Sequence, residues 1–316
     1  MRKLAGYVIV AALALSSVTP ALAQQRPDPS ADVGVANPAF AKGTGPVVAI
    51  DSGHFEFQTI ASGYSTFAAL LANDGYVVQD FHDALTPASL ARIRVLVIAD
   101  ARSALPPPDG KIVDSLSAFS DDEIRTLHDW VENGGALLIC ADHPPFAGSV
   151  RALAAAFGFT INRYAARARG WPNAAELFNL ANGGLVAGPL TAGVDQVQTF
   201  YGTAFTAPPG ATPLLKLDSS WSFAGLGVSA IPATSADWRG ASLAVGKGRV
   251  VLMAEAGELS AQIAAKGGPM GFNAPDATGN KQLVRNIVRW LAIGDSPAAL
   301  PPPPAAAPAP GDAKVN

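Results

Sequence analysis

The stretches PVVAID (46 to 51), VLVIAD (95 to 100) and ALLICA (136 to 141) are apolar almost throughout, of strand length, and separated by patterns of helical period. A strand that is apolar on both faces leaves no side for water, so it belongs inside a sheet that is covered on both faces. Alternation of such strands with amphipathic helices is the signature of a parallel α/β sheet. The predicted architecture is a three-layer α/β/α sandwich around a mostly parallel sheet.

Local signals place the remaining elements. A helix is predicted over 61 to 73, with Tyr64, Phe67, Leu70 and Leu71 on one stripe and a stop at Asn73-Asp74-Gly75. Tyr76 to Val78 form the next strand. Ser120 and Glu123 have the spacing of a capping box, Asp121 and Asp122 suit the positive end of the helix dipole, and Ile124, Leu127 and Val131 make the buried face. A shorter helix is predicted over 149 to 157. From about 160 to 240 the chain is rich in Gly, Pro and Asn, and an irregular β-rich elaboration of the sheet is expected there. Regularity returns with ASLAV-GKG-RVVLMAE (241 to 255), read as a hairpin whose second arm rejoins the sheet. A last helix, 279 to 292, carries Leu283, Ile287 and Trp290 on one face.

The ends differ from this core. MRKLAGYVIVAALALSSVTPALAQQ has two basic residues, an apolar run of about a dozen residues, too short for a membrane span, and then Ala21-Leu22-Ala23. That order predicts a signal peptide over 1–23, cleaved after Ala23, and a periplasmic or secreted protein with no integral membrane span after cleavage; the rival reading, an uncleaved membrane anchor, is disfavoured by the A-x-A site. A disordered linker is expected over 24–44 and a solvated Pro/Ala tail over 295–316. Loss of Arg2 and Lys3 takes the formal charge from -3 to -5, which gives no basic field for nucleic acid. Cys140 is the only cysteine, so no internal disulfide can form.

Ligands of open parallel sheets bind beyond the carboxyl ends of the strands. Here the strand ends carry Asp51 with His54, Asp100 with Arg102, Asp142 with His143, and Glu255 with Glu258. A terminal aspartate can equally cap the next helix or turn, and the histidines can equally be structural hydrogen-bonders. Of the other histidines, His82 belongs at the rim and His128 on the surface of its helix. Cys140 lies inside an apolar strand and reads as a small buried hydrophobe, so the turn position of a nucleophile falls to Asp142 or His143.

GPVVAIDSGHFEFQT, FSDDEIRTLHDWVENGGALLICADHPPFAG, GKGRVVLMAEAGELSAQ, GPMGFNAP and NKQLVRNIVRWL together resemble the bacterial DUF4350-type proteins, relatives of the class I glutamine amidotransferase-like, flavodoxin-like fold. The resemblance spans about 45 to 293 and implies one amidotransferase-like domain over 45–294. It implies no particular reaction; the positions that match leave Asp51, His54, Asp142, His143, Phe146, Glu255, Ser260, Gln262 and Asn273 as the lining of a site, in which Asp142, His143, His54 and Glu255 are the catalytic candidates and Asp51, Phe146, Ser260, Gln262 and Asn273 the ligand-binding ones. Amidotransferases carry a G-x-C-x-G elbow, whereas ICADHPP lacks both glycines and the placed cysteine, so glutamine hydrolysis is not expected. The family's counterpart of HFEFQT is often richer in histidine and asparagine, and the resemblance assigns no metal to that loop.

Three classes of function remain. A cell-envelope module could bind a small polar molecule, such as a carbohydrate, with Phe55, Phe57 and Phe146 stacking on it. A hydrolase could activate water with an Asp/His/Glu cluster, assisted by a divalent metal. A scaffold for an envelope complex would need neither.

Overall fold

The computed structural model describes residues 25–103, 116–225 and 228–294. The leader expected over 1–23 and the tail expected over 295–316 lie outside them. The first half contributes β1 (Arg26–Pro27), β2 (Val47–Asp51), α1 (Ser65–Asn73), β3 (Val77–Phe81), α2 (Pro87–Leu90), β4 (Val95–Ala99), α3 (Asp121–Glu132), β5 (Ala136–Cys140) and α4 (Phe146–Ala156). Seven short strands follow: β6 (Thr160–Ile161), β7 (Ala165–Ala168), β8 (Glu176–Asn179), β9 (Gln196–Thr199), β10 (Phe205–Thr206), β11 (Thr212–Lys216) and β12 (Trp221–Gly225). The chain ends with β13 (Val228–Pro232), β14 (Trp238–Val245), β15 (Gly248–Met253), β16 (Ala261–Ile263), β17 (Pro269–Gly271) and α5 (Asn280–Ile293).

The main sheet has nine strands in the order β3-β2-β4-β5-β15-β14-β10-β6, with β11 also paired to β14. Pairing from β3 across to β15 is parallel, and every pairing beyond β15 is antiparallel. The sheet is therefore mixed, not mostly parallel. The reversal comes from the predicted hairpin: β15 lies parallel to β5, and its tight turn forces β14 to run the other way. The elaboration over 160 to 240 supplies β6, β10 and β11 to this sheet. It also forms two small sheets, β13-β12-β7 and β8-β9.

Strand pleating sorts the core. Val48, Ile50, Val95, Val97, Leu138 and Cys140 point into one apolar cluster with Phe67, Leu70 and Leu71 of α1 and Leu283, Ile287 and Leu291 of α5. Ala49, Leu96, Ile98, Leu137 and Ile139 point into a second, with Leu127 and Val131 of α3 and Val150 and Leu153 of α4. All five residues of both β4 and β5 are buried, as their sequences require. The capping box of α3 forms as predicted: Glu123 N–H donates to Ser120 Oγ at 3.3 Å, and Ser120 N–H donates to Glu123 Oε2 at 2.9 Å. Ser120→Ala should cost about 1 kcal/mol of stability, read as a lower urea midpoint with an unchanged slope.

Residues 25–44, expected to be a disordered linker, instead strap the domain. Arg26 and Pro27 pair with Ile263 and Gln262 as an added strand. Further on, the Ala39 N–H donates to Asp74 Oδ1 at 2.8 Å, and the Phe40 ring meets Tyr76 edge-on at 5.1 Å. Asp74 is itself fully buried and held by Arg285 of α5. Gly75 has φ +97°, and a Cβ there would sit 2.2 Å from the Phe40 carbonyl oxygen, so the close approach of the strap requires glycine. Polar groups on distant elements hold this segment, which is why its composition resembles a linker.

Candidate functional site

The C-terminal edge of the parallel strands brings the expected groups together in two neighbouring clusters. In the first, β2 ends on the fully buried Asp51, and the loop after it carries His54 and Glu56. His54 Nδ1 stands 2.7 Å from Asp51 Oδ2 and 3.8 Å from Glu56 Oε1, while Nε2 faces Glu123 Oε1 of α3 at 3.4 Å. The ring lies against Phe119, with centroids 4.3 Å apart. Burial works against a charged imidazole here, but the Asp51 hydrogen bond and charge, with Glu56 and Glu123, outweigh it and push His54 up to about 9. Burial and the Asp51 charge push Glu56 up to about 8.

The second cluster stands over the centre of the sheet. Asp100 follows β4, Asp142 follows β5, and Glu255 and Glu258 follow β15; all four are buried. Both oxygens of Asp100 and both of Glu258 lack a hydrogen-bond partner. Burial, and then the charges of Asp142 and Glu255, hold Asp100 well above the ordinary carboxyl range. Burial and the facing Glu255 do the same for Glu258, and burial raises Glu255 as well. The Glu255 carboxylate accepts the N–H groups of Gly257 at 2.6 Å and Glu258 at 2.9 Å. His143 Nδ1 lies 2.5 Å from Asp142 Oδ1. Burial opposes its protonation, but Asp142 and Glu255 raise its pKa.

Aromatic rings connect the clusters and extend them. Phe57 meets Phe146 at 5.9 Å, Phe146 meets His143 at 5.7 Å, His143 meets Tyr201 at 5.0 Å, and Tyr201 stacks on Trp171 at 5.1 Å. The Arg167 guanidinium lies over Trp171 at 4.3 Å. Backbone strain gathers at the same edge. Among the described residues, the non-glycine positions with positive φ are Phe55 (52°), Asp100 (57°), Asp142 (45°) and Tyr201 (82°). Each belongs to one of these loops or to the ring row, and each costs on the order of 1–3 kcal/mol in a conformation that L-residues avoid.

Three of the predicted lining residues work elsewhere. Ser260 and Gln262 are fully buried, and Gln262 engages Gln25, Gln58 and Ser260. Asn273 donates to Asp28 at 2.6 Å. Gln262 and Asn273 fasten the N-terminal strap, and the Ser260 hydroxyl accepts from Gln262. Cys140 is buried in the core, and burial raises its thiol well above the ordinary range, with Tyr64 Oη 3.5 Å from the sulfur. His82 is exposed beside Asp80, and His128, expected on the surface, is half-buried on Phe157.

Glu56, Glu123, Glu176, Arg239 and Tyr201 enter the site without having been predicted. Glu56 was findable, since it stands two residues from His54 in HFEFQT, and Glu123 was identified only as a cap. The buried Arg239 lies 3.4 Å from Glu176 Oε2 and 5.0 Å from the Trp221 ring. Glu176 in turn accepts the Thr199 hydroxyl at 2.8 Å and the Tyr201 N–H at 3.2 Å, which fixes Tyr201 beside His143.

No helix among the described residues is long and apolar enough to cross a membrane. No family model matches the sequence, and no curated protein matches it. Among solved structures, a ThuA-like protein from Bacteroides uniformis is 14% identical, covering 81% of this chain and 93% of its own, with a TM-score of 0.42. A cytoplasmic protein from Salmonella typhimurium is 13% identical, covering 78% and 99%, with a TM-score of 0.45. The mmIFT52 N-terminal domain is 14% identical over 78% of this chain and 98% of that one, with a TM-score of 0.58. What this chain has in common with that domain is its α/β fold.

Proposed function

We propose that this protein is an exported binding module, built as a three-layer α/β/α sandwich of the class I glutamine amidotransferase-like type. It takes a small hydroxyl-rich ligand, a sugar, at the C-terminal edge of the sheet. One observation carries this reading: all the positive-φ non-glycine residues described gather there, around buried carboxyl groups that lack partners. Strain of this kind persists where the surroundings over-determine it, and such positions concentrate at ligand sites. Buried acceptors without donors suit a ligand rich in hydroxyls, and the row from Phe57 to Trp171 provides ring faces for the apolar sides of a sugar. The reading needs no nucleophile, and Cys140 is too deep to serve as one.

Saturation-transfer NMR followed by calorimetry against hexoses, N-acetylhexosamines and their disaccharides tests it. One of these sugars should bind saturably. Asp100→Asn combined with Asp142→Asn should weaken it at least about tenfold, because each removes an acceptor oxygen and a hydrogen bond contributes about 0.5–1.5 kcal/mol. If none of them binds, or binding ignores both substitutions, the reading fails. The close Asp142–His143 contact favours a second reading, hydrolysis with His143 as general base. Turnover of nitrophenyl glycosides that is lost in His143→Gln would favour it over simple binding.

A further inference from the structure

We infer that Asp51, His54 and Glu56 form a binding site for one divalent transition-metal ion. Their ligand atoms all lie within 4.8 Å of one another. A cluster of acids around a histidine is common on protein surfaces, but this one is built differently in two respects.

The first is the orientation of the carboxylates. One oxygen of each is tied to the backbone: Asp51 Oδ1 accepts the Gly53 N–H at 3.1 Å, and Glu56 Oε2 accepts the His54 N–H at 2.9 Å. The other oxygen of each, Asp51 Oδ2 and Glu56 Oε1, is turned toward His54 Nδ1. Glu123 follows the same rule on the far side of the ring. Its Oε2 is held by Ser120, leaving Oε1 to face Nε2. With Nε2–H donated to Glu123, Nδ1 is the nitrogen that faces the two remaining carboxylates, and a metal ion there replaces the proton it shares with Asp51. A carboxylate that orients a histidine in this way is the usual outer partner of a metal-bound imidazole.

The second is an oxygen without a partner. Glu56 Oε1 is buried, its side chain has 0% exposure, and no hydrogen bond reaches it. A buried carboxylate oxygen left without a donor needs a proton or a cation, and this one points into the cluster. One imidazole nitrogen with two carboxylate oxygens favours zinc or manganese over calcium or magnesium, and three protein ligands leave coordination positions open. The His128, Asp129 and Glu132 group on α3 has neither feature, since Asp129 and Glu132 are exposed, and it serves as the internal control.

The inference does not rest on the sugar reading, and metal titration alone decides it. Chelator-treated protein titrated calorimetrically with Zn²⁺ should bind one ion per chain in the micromolar range or tighter. Glu56→Gln and His54→Asn should each abolish that binding, and Glu123→Gln should weaken it about tenfold by freeing the ring. His128→Ala should leave it unchanged. Circular dichroism identifies any variant that fails to fold, and Co²⁺ added to the unmutated protein gives a direct readout: visible bands of a low-symmetry nitrogen/oxygen site are expected. A featureless Co²⁺ spectrum, no saturable Zn²⁺ binding, or binding lost in His128→Ala and kept in Glu56→Gln would overturn the assignment.

Discussion

Arg239→Met is expected to destabilise the fold by about 3–5 kcal/mol, the cost of removing one partner from a buried ion pair. Arg239 has 0% exposure and Glu176 4%, so water cannot rescue the carboxylate left behind. The Thr199 hydroxyl and the Tyr201 N–H remain on Glu176, which places the effect toward the lower end of that range. In a chain of this size, that corresponds to a fall in melting temperature of roughly 10 °C. The double variant Arg239→Met with Glu176→Gln should recover most of the loss, because it removes the stranded charge and keeps the shape. Thermal melts of the single and double variants make the measurement. Equal losses in both would show that the packing of Arg239 on Trp221, and not the charge pair, supplies the stability.

Stability should also fall as pH rises from mildly acidic conditions toward pH 9, and Glu258→Gln should flatten that fall. Burial and the facing Glu255 hold the Glu258 pKa well above its ordinary 4.5 in the folded chain, and Asp100 and Glu255 are raised as well. For a carboxyl raised by folding, the native state binds more protons than the unfolded state between the two pKa values. Its contribution is therefore complete below the unfolded value and is lost as pH climbs toward the folded one. His54, raised from 6.5 to about 9, and His143, also raised, act with the same sign at higher pH. Glu123, whose pKa is lowered, acts at the acid end, where its contribution disappears as pH drops below the ordinary glutamate value. Glutamine mimics the protonated acid and has no proton to lose, so at pH 8 Glu258→Gln should be more stable than the parent chain. Melting temperatures of chelator-treated protein between pH 5 and 9 decide this; a variant that melts lower at pH 8 would show that Glu258 is ionised in the fold.

The parts of the fold legible in the sequence were those specified locally. Ser120 and Glu123 announce the start of α3, and the unbroken apolar run at 136 to 140 announces a strand buried on both faces. The strand-end rule also placed Asp51, His54, Asp142, His143 and Glu255 at one edge, because each lies within a few residues of a recognisable strand. What the sequence hid was set by partners far along the chain. Asp74 holds Ala39 and Arg285, and Glu176 holds Arg239 and Tyr201, and neither pairing leaves a local pattern. Ser260, Gln262 and Asn273 carry amides and a hydroxyl suited to a ligand, but residue type alone does not reveal that their neighbours are Gln25 and Asp28.

The insertion of β15 between β5 and β14 bears on how the molecule assembles. Val250 pairs with Leu137, more than a hundred residues earlier, so the parallel run cannot close until most of the polypeptide has been synthesised. Closure of so long a loop, before any pairing rewards it, makes folding slow. Until then β5 presents an open apolar edge, the kind of surface on which nascent chains aggregate. A chain stopped short of residue 248 should therefore be a substrate for chaperones, and the addition of β15 beside β5 should be the step that releases it.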